Sequence, residues 1–218
     1  VIQGYKCILS VSEKTKAEKI AFLKSLGATV YVCPANVPAD DPRSYYEVTK
    51  KIAAETPNSF YINHYFNELN VEAHYNSTGP EIWKQTVGRI THLFACCGTG
   101  GTLSGSAKYI KEQNEEVKVI GVDADGSILK TYHETGVINK EEIHSYQIEG
   151  LGKNLIPSSL LFDKVDEFVR VNDEMSAYTT REVALKEAIM GGYTTGAVVQ
   201  ALKQYANSHA LTENDTIV

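Results

Sequence analysis

The sequence lacks the features that would direct a protein to a membrane or to a nucleic acid. No apolar run approaches the roughly 20 residues that a membrane-spanning helix requires, so no membrane association is expected. Lys6 and the polar stretch 10–19 interrupt any hydrophobic start, which is unlike a secretory signal peptide. The formal net charge is −6 and no basic patch is interleaved with aromatic residues, so nucleic acid is not an expected partner.

Cysteine is scarce, and its arrangement argues against a metal or redox site. The chain has four cysteines and no Cys-x-x-Cys motif or metal-type spacing. They stand in apolar contexts typical of buried strands, so we expect reduced thiols in a cytoplasmic protein and no bound metal. The four residues are Cys7, Cys33, Cys96 and Cys97.

The composition is that of a globular protein with an α/β pattern. Hydrophobic residues make up 43% of the chain and charged residues 22%, and 218 residues suffice for one large domain or two small ones. Short apolar segments alternate with segments of helical periodicity, which indicates right-handed crossovers and a mostly parallel sheet. Strands are predicted at 7–11, 29–33, 60–62, 91–97, 117–123 and 165–171. Helices are predicted at 16–26, 44–55 and 175–189. A further helix is predicted to begin at 79 with Pro80 at its first position, another to include 107–111, and a last one to follow the glycines at 191–196 and continue through 205.

The polar stretch 64–78 is predicted to be irregular and to separate two lobes. The boundary gives a smaller α/β lobe at 1–63 and a larger α/β lobe at 64–218. Residues 1–5 look like the tail of a helix that Gly4 terminates, and residues 211–218 have just turned into a new strand. A domain rarely begins inside a helix and ends inside a strand, so we expect the chain to be an internal piece of a longer protein.

A glycine loop between a strand and a helix is the most informative feature. The apolar run at 91–97 ends in Gly98-Thr-Gly-Gly-Thr102, and a helical pattern follows at once. Glycines let the backbone N–H groups approach an anion, and the helix N-terminus adds partial positive charge. The two threonine hydroxyls can donate to the same oxygens. The loop therefore predicts a site for a phosphorylated small molecule.

A dinucleotide site is the first alternative. Leu103 stands where the G-x-G-x-x-G pattern needs its third glycine, although Asp123 follows at a distance suited to a ribose-binding acid. Two further glycine-rich loops, Gly150-Leu-Gly152 and Gly191-Gly-Tyr-Thr-Thr-Gly196, argue against a dinucleotide site formed by one loop alone. Three such loops after strands predict one shared cleft at the carboxyl ends of a parallel sheet.

Five motifs follow one another in a fixed order along the chain. They are His74-Tyr-Asn-Ser-Thr-Gly-Pro-Glu-Ile-Trp83, Gly98-Thr-Gly-Gly-Thr102, Gly121-Val-Asp-Ala-Asp-Gly-Ser127, Glu149-Gly-Leu-Gly152 with Ile156-Pro157, and Gly192-Tyr-Thr-Thr-Gly-Ala197. In this order they resemble the cysteine synthase and cystathionine β-synthase family, which are pyridoxal-phosphate enzymes of the tryptophan-synthase-β fold type. The resemblance extends over essentially the whole chain.

The resemblance implies a two-lobed α/β fold of the fold-type II pyridoxal-phosphate class, with mostly parallel sheets flanked by helices. Residues 1–63 would be what remains of an incomplete N-terminal lobe, and residues 64–218 the larger cofactor-binding lobe, truncated at its C-terminus. The implied cofactor is pyridoxal 5′-phosphate, the substrates are small amino acids, and a homodimer is expected.

The resemblance also assigns the site residues. The cofactor phosphate would be held by Gly98, Thr99, Gly100, Gly101 and Thr102. Thr194 falls where the family has a serine hydroxyl facing the pyridine nitrogen, and a neutral hydroxyl there suits α,β-elimination. The remaining matches lie on the substrate side and are Gly150, Leu151, Gly152 and His64, the last in place of the family's usual glutamine near the substrate carboxylate. Lys153 and Asn154 depart from the family's commoner residues after that loop.

No catalytic residue is assigned in this chain. The family's Schiff-base lysine and its Ser/Thr-Gly-Asn-Thr-Gly loop lie upstream of residues like Val1, and no lysine here matches the lysine's motif.

The expected reaction is β-replacement on serine, or on an O-activated serine, by a thiol. Residues 123–129 and 149–152 resemble the cystathionine β-synthases more closely, which implies serine and homocysteine as substrates. Cysteine synthase, with O-acetylserine and sulfide, is the alternative. A non-catalytic binding or regulatory module is a third interpretation because the lysine is absent, and a nicotinamide-dependent oxidoreductase is a fourth.

Overall fold

The computed structural model describes residues 3–35 and 37–218, and their contacts divide the chain into two compact units, Val1–Ile62 and Asn63–Val218. Val1 and Ile2, which belong to the predicted helix tail, lie outside the described residues. Gly4 lies within them and has a φ of +84°. The assignment of the two units to a smaller lobe and a cofactor-binding lobe stays a prediction.

The first unit contains two parallel strands and two helices. Its strands, Ile8–Ser12 (β1) and Thr29–Cys33 (β2), pair with Ile8 opposite Thr29. Ser44 accepts a hydrogen bond from the backbone N–H of Glu47 at 3.2 Å and thereby caps the second helix. The elements are β1 (Ile8–Ser12), α1 (Ala17–Ser25), β2 (Thr29–Cys33) and α2 (Tyr45–Glu55).

The second unit is built on a parallel sheet of three strands, in the order His92–Cys96 (β3), Lys118–Ala124 (β4) and Glu167–Val171 (β5). Its elements are α3 (Leu69–Asn76), α4 (Thr78–Gln85), β3 (His92–Cys96), α5 (Gly101–Gln113), β4 (Lys118–Ala124), α6 (Leu129–Thr135), β5 (Glu167–Val171), α7 (Asp173–Glu187) and α8 (Tyr193–Ser208). Short 3₁₀ turns occur at Lys140–Glu142 and Phe162–Lys164. Both sheets are parallel and flanked by helices, which confirms the predicted fold class.

Helices cover both faces of the three-stranded sheet. On one face, Phe94, Ile120 and Val122 pack with Ala197 and Ala201 of α8. On the other face, a second cluster joins the sheet to α5 and α6; it contains Val119, Phe168, Leu103, Ala107 and Leu129. This double coverage explains why the central strand β4 is buried at every residue after its first, and why it reads as an apolar run rather than an alternating one.

Two predictions about residues 60–78 were wrong. No strand forms at 60–62, where Phe60 is 84% exposed and Ile62 is 64% exposed, so the apolar residues there have no sheet to join. The stretch 64–78, predicted to be irregular, contains α3, which packs on α5 despite its polar sequence.

Pro80 is the third residue of α4 rather than the first, a position that remains within the first turn, where N–H groups have no intrahelical acceptor.

The end of the chain begins to pair with the sheet. Ile217 forms a parallel bridge with His92, and the backbone N–H of Phe94 donates to the carbonyl of Val218 at 2.7 Å. The strand expected at 211–218 is thus represented by a bridge at the β3 edge.

Across residues 3–35 and 37–218, no helix has both the length and the apolar character needed to cross a membrane.

Candidate functional site

The loop between β3 and α5 has the backbone geometry of an anion cradle. Gly100 is the N-cap of α5 and has a φ of +87°, a left-handed conformation that favours glycine. A Cβ atom at this residue would lie 2.6 Å from the Cβ of Leu160, so space as well as conformation requires glycine. The first turn of α5 leaves its N–H groups without intrahelical acceptors, and they lie at the positive end of the helix dipole.

The loop opens onto a polar cleft of about 280 Å³ within the second unit. Six of the residues predicted from the sequence line it: His64, Gly98, Thr99, Gly100, Thr102 and Gly150. Three other residues line it as well: Tyr65, Cys96 and Lys153. The structure therefore brings most of the predicted phosphate loop together with the loop predicted to face the substrate.

Asn70 of α3 fixes the position of Thr99. Its Nδ2 donates to Thr99 Oγ1 and to the carbonyl of His64, each at 3.1 Å. The Ser159 hydroxyl donates to the carbonyl of Thr99 at 2.7 Å, and thus holds the backbone of the same residue. A Cβ atom at Gly101 would lie 2.0 Å from Asn70 Oδ1, so a larger residue there would displace the amide. Gly101 does not line the cleft, and it serves this close approach.

Thr102, at the second position of α5, is held by a histidine. Its Oγ1 lies 3.1 Å from His74 Nε2, and His74 Nδ1 lies 2.9 Å from Thr78 Oγ1. Burial lowers the pKa of His74, which favours the neutral ring. In the tautomer with the proton on Nε2, the imidazole donates to Thr102 Oγ1, and the threonine proton is then available to an anion in the cleft.

The Gly150 loop packs directly on the glycine loop. The N–H of Gly152 donates to the carbonyl of Cys97 at 2.7 Å, and a Cβ atom at Gly98 would lie 2.6 Å from the carbonyl oxygen of Gly150. Leu151 is only 2% exposed and packs in the core cluster around Phe94, and neither Leu151 nor Gly152 lines the cleft. A direct contact of these two residues with a substrate stays a prediction.

Thr194 lies in the first turn of α8 beside the cleft. Its carbonyl accepts a hydrogen bond from the Cys96 thiol at 3.6 Å, and Cys96 itself lines the cleft. Thr194 is not a lining residue, and its role at a pyridine nitrogen stays a prediction. Burial raises the pKa of Cys96 to about 12, so this thiol remains protonated and is a poor nucleophile.

Lys153 is a charged residue of the cleft that was not assigned to the site from the sequence. It was noted only as a departure from the family pattern, yet its side chain lines the cleft and its Nζ lies 4.8 Å from the centroid of the Tyr65 ring. Burial lowers the pKa of Lys153 to about 8. Its position directly after the Gly-x-Gly loop was the available signal, because that loop was already assigned to the substrate side.

Among the described residues, no cluster of three or more histidine, cysteine or acidic side chains is arranged to hold a metal ion. The four cysteines are free.

Comparison with known proteins gives a consistent result over the whole chain. The family model described as "Pyridoxal-phosphate dependent enzyme" matches residues 1–218. Cystathionine beta-synthase of Saccharomyces cerevisiae is 35% identical over 223 residues, covering 100% of this chain and 43% of the relative. Cystathionine beta-synthase of Dictyostelium discoideum is 38% identical over 202 residues, covering 92% of this chain and 40% of the relative.

A more distant relative is Cysteine synthase 3 of Caenorhabditis elegans, which is 29% identical over 206 residues, covering 94% of this chain and 58% of the relative. The chain thus spans about two fifths of the length of the two cystathionine beta-synthases above.

Proposed function

The chain belongs to the family of pyridoxal-phosphate dependent enzymes, and on that premise we propose that the protein containing it is a lyase that joins serine to homocysteine to form cystathionine. The family and the cofactor expected from the sequence are confirmed by the match. The observation that carries the proposed reaction is that sequence identity is higher to the cystathionine beta-synthases than to the cysteine synthase. Identity is 35% and 38% to two cystathionine beta-synthases over nearly the whole chain, against 29% to a cysteine synthase.

The residues of the cleft fit the phosphate of this cofactor. The cradle supplies backbone N–H groups at the start of α5, and the hydroxyls of Thr99 and Thr102 stand beside them in the cleft. The loop packs closely on its neighbours at both glycines, because a Cβ atom at Gly98 would clash with the carbonyl oxygen of Gly150 and one at Gly100 would clash with Leu160. A phosphate needs several converging donors of this kind, and an uncharged cradle at a helix N-terminus provides them.

When bound, pyridoxal phosphate supplies an electron-withdrawing ring that stabilises negative charge at the α-carbon of the substrate. The residues of this chain would hold the cofactor and orient the amino acid beside it. The loop at 98–102 holds the phosphate. The Thr194 hydroxyl would face the ring nitrogen and keep its own proton, since an alcohol is too weak an acid to protonate the ring. His64 and Gly150 line the cleft on the substrate side and would position the amino acid.

No residue of this chain is assigned to proton transfer at the α-carbon. The resemblance gives that role to a lysine upstream of residues like Val1, so we propose that residues 1–218 alone lack the activity. The proposal extends to a cytoplasmic homodimer with small amino acids as substrates.

Cysteine synthase activity is the second candidate, supported by the match to the Caenorhabditis elegans enzyme. A non-catalytic module that binds the cofactor is a third, supported by the absence of a lysine matching the family motif.

One assay separates the three candidates. The purified protein that contains this chain is incubated with pyridoxal phosphate and either serine plus homocysteine or O-acetylserine plus sulfide, and the products are identified by mass spectrometry. We expect cystathionine from the first pair at the higher kcat/KM. Faster formation of cysteine from the second pair would favour a cysteine synthase. No product from either pair, with the cofactor bound, would favour the non-catalytic module.

A further inference from the structure

Lys153 extends into the cleft from a firmly held backbone. Its N–H donates to Ser127 Oγ at 2.9 Å, and its carbonyl accepts from the N–H of Ile128 at 3.0 Å and from the same hydroxyl at 3.1 Å. These bonds clamp the residue against the turn that precedes α6. The side chain therefore begins from a fixed point at the cleft wall.

The Lys153 ammonium has no carboxylate partner among residues 3–35 and 37–218. The group that faces it is the Tyr65 ring, whose centroid lies 4.8 Å from Nζ. A cation over an aromatic face gains a modest attraction and leaves its N–H donors able to bind an oxygen. Burial disfavours the charged ammonium, as its pKa of about 8 reflects. An anion beside it would offset this cost, since charges withdrawn from water need a partner.

Three anionic groups enter such a cleft in the proposed reaction, namely the cofactor phosphate and the α-carboxylates of serine and homocysteine. The loop at 98–102 offers backbone N–H groups at the start of α5 and two threonine hydroxyls to the phosphate, and none of these donors belongs to the segment that carries Lys153. Lys153 lies instead beside Gly150, on the loop predicted to face the substrate. Its position thus favours a carboxylate over the phosphate.

We propose that the Lys153 ammonium binds the α-carboxylate of the thiol-bearing amino acid and thereby selects homocysteine over sulfide. The inference rests on the proposed function. Sulfide carries no carboxylate, so a lysine in this role discriminates between the two thiols without taking part in the chemical step.

The test uses the protein that contains this chain and three variants. Lys153→Met removes the charge and keeps most of the side-chain length, and Lys153→Arg keeps the charge. Lys108→Met is the matched control, because Lys108 Nζ lies 4.7 Å from the centroid of the Tyr75 ring and does not line the cleft. Each protein is assayed with serine at saturation and three acceptors: homocysteine, 3-aminopropane-1-thiol, which is homocysteine without its carboxylate, and sulfide.

We expect Lys153→Met to raise the KM for homocysteine about 10- to 100-fold, the range for loss of a hydrogen bond to a charged group. The kcat, and the KM values for 3-aminopropane-1-thiol and sulfide, should stay within about twofold. The wild-type preference for homocysteine over its decarboxylated analogue should therefore disappear in this variant. Lys153→Arg should recover most of the affinity, and Lys108→Met should match the wild type.

Four results would overturn the proposal. An equal rise in KM for all three acceptors would indicate a structural role. An unchanged KM for homocysteine, with weaker binding of pyridoxal phosphate in a fluorescence titration of the apoprotein, would place Lys153 on the phosphate. If the wild type has neither activity, the proposed function fails and this proposal fails with it. If the wild type makes cystathionine and Lys153→Met changes nothing, only the present proposal fails.

Discussion

The packing of the Gly150 loop on the glycine loop makes Gly98→Ala an informative perturbation. The added Cβ would lie 2.6 Å from the carbonyl oxygen of Gly150, whereas ordinary contact begins at 3.4 Å. Neither atom can be moved by a side-chain rotation, because the obstacle is backbone. The Gly150 loop is also tied to the same segment by the 2.7 Å hydrogen bond from Gly152 to Cys97. The two loops must therefore separate by several tenths of an ångström.

Separation of the loops should lower both stability and cofactor affinity. Overpacking of this kind costs about 1–3 kcal/mol, and each kcal/mol lowers the Tm of a domain of this size by about 2–4 °C. We expect a fall in Tm of about 2–12 °C in a thermal scan. Loss of one charge-assisted hydrogen bond to the phosphate would weaken binding of pyridoxal phosphate about 10- to 100-fold in a titration of the apoprotein.

Gly136→Ala is the matched control for a general loss of stability. Gly136 caps α6 with a φ of +71° and has no heavy atom within 4 Å of an added Cβ, so alanine there meets only backbone strain. That strain costs about 1–2 kcal/mol, and cofactor affinity should not change. If Gly98→Ala lowers the Tm and leaves cofactor affinity intact, the loop backbone does not hold the phosphate. If Gly98→Ala changes neither quantity, the close approach of the two loops is itself wrong.

Three further predictions concern the support of the cradle and one helix pair. Asn70→Ala removes both hydrogen bonds of Nδ2, so unfolding free energy should fall by about 1–3 kcal/mol in urea denaturation, and cofactor affinity should fall with it; unchanged affinity would mean that Thr99 needs no support. Thr102→Val removes one hydroxyl and should weaken phosphate binding about 10-fold or more, with little change in Tm; equal affinity of wild type and variant would remove Thr102 from the site. Glu182 bridges Lys186 and Lys203, and these partners lower its pKa to about 2. Because the folded-state pKa is below the unfolded value, this stabilisation is present above about pH 4.5 and is lost as the pH falls toward 2. Glu182→Gln should therefore be less stable than the wild type at pH 7 and equally stable near pH 2, and a difference that persists at low pH would contradict the assignment.

The strands and the glycine loop could be predicted because their signals are local. The strand at 29–33 is a β-branched and aromatic run, and its predicted bounds are those of β2. Asn172 is a preferred helix-capping residue type, and its side chain accepts from the N–H of Met175 at 2.9 Å at the start of α7. Capping and turn chemistry act within a few residues, so the sequence alone carries them.

Other features depend on distant partners and were out of reach of the sequence. Helix α3 is polar and has no apolar stripe, and it forms because it packs on α5, where Gly105 lets the two helices approach closely. The run at 60–62 is apolar but has no neighbouring strand, so propensity alone gave the wrong result. The cation–π contact of Lys153 is with the ring of Tyr65, which lies 88 positions earlier in the chain, and the sequence alone gave no sign that the two residues are neighbours.

The central proposal is that this chain binds the phosphate of pyridoxal phosphate and that the lysine carrying the cofactor lies outside residues 1–218. The most direct test is to reduce the protein that contains this chain with borohydride in the presence of pyridoxal phosphate and to map the modified peptide by mass spectrometry. We predict one pyridoxyl group on a lysine outside residues 1–218, with modification lost when an excess of inorganic phosphate competes for the loop. A pyridoxyl group on Lys153, or no specific modification at all, would contradict the account.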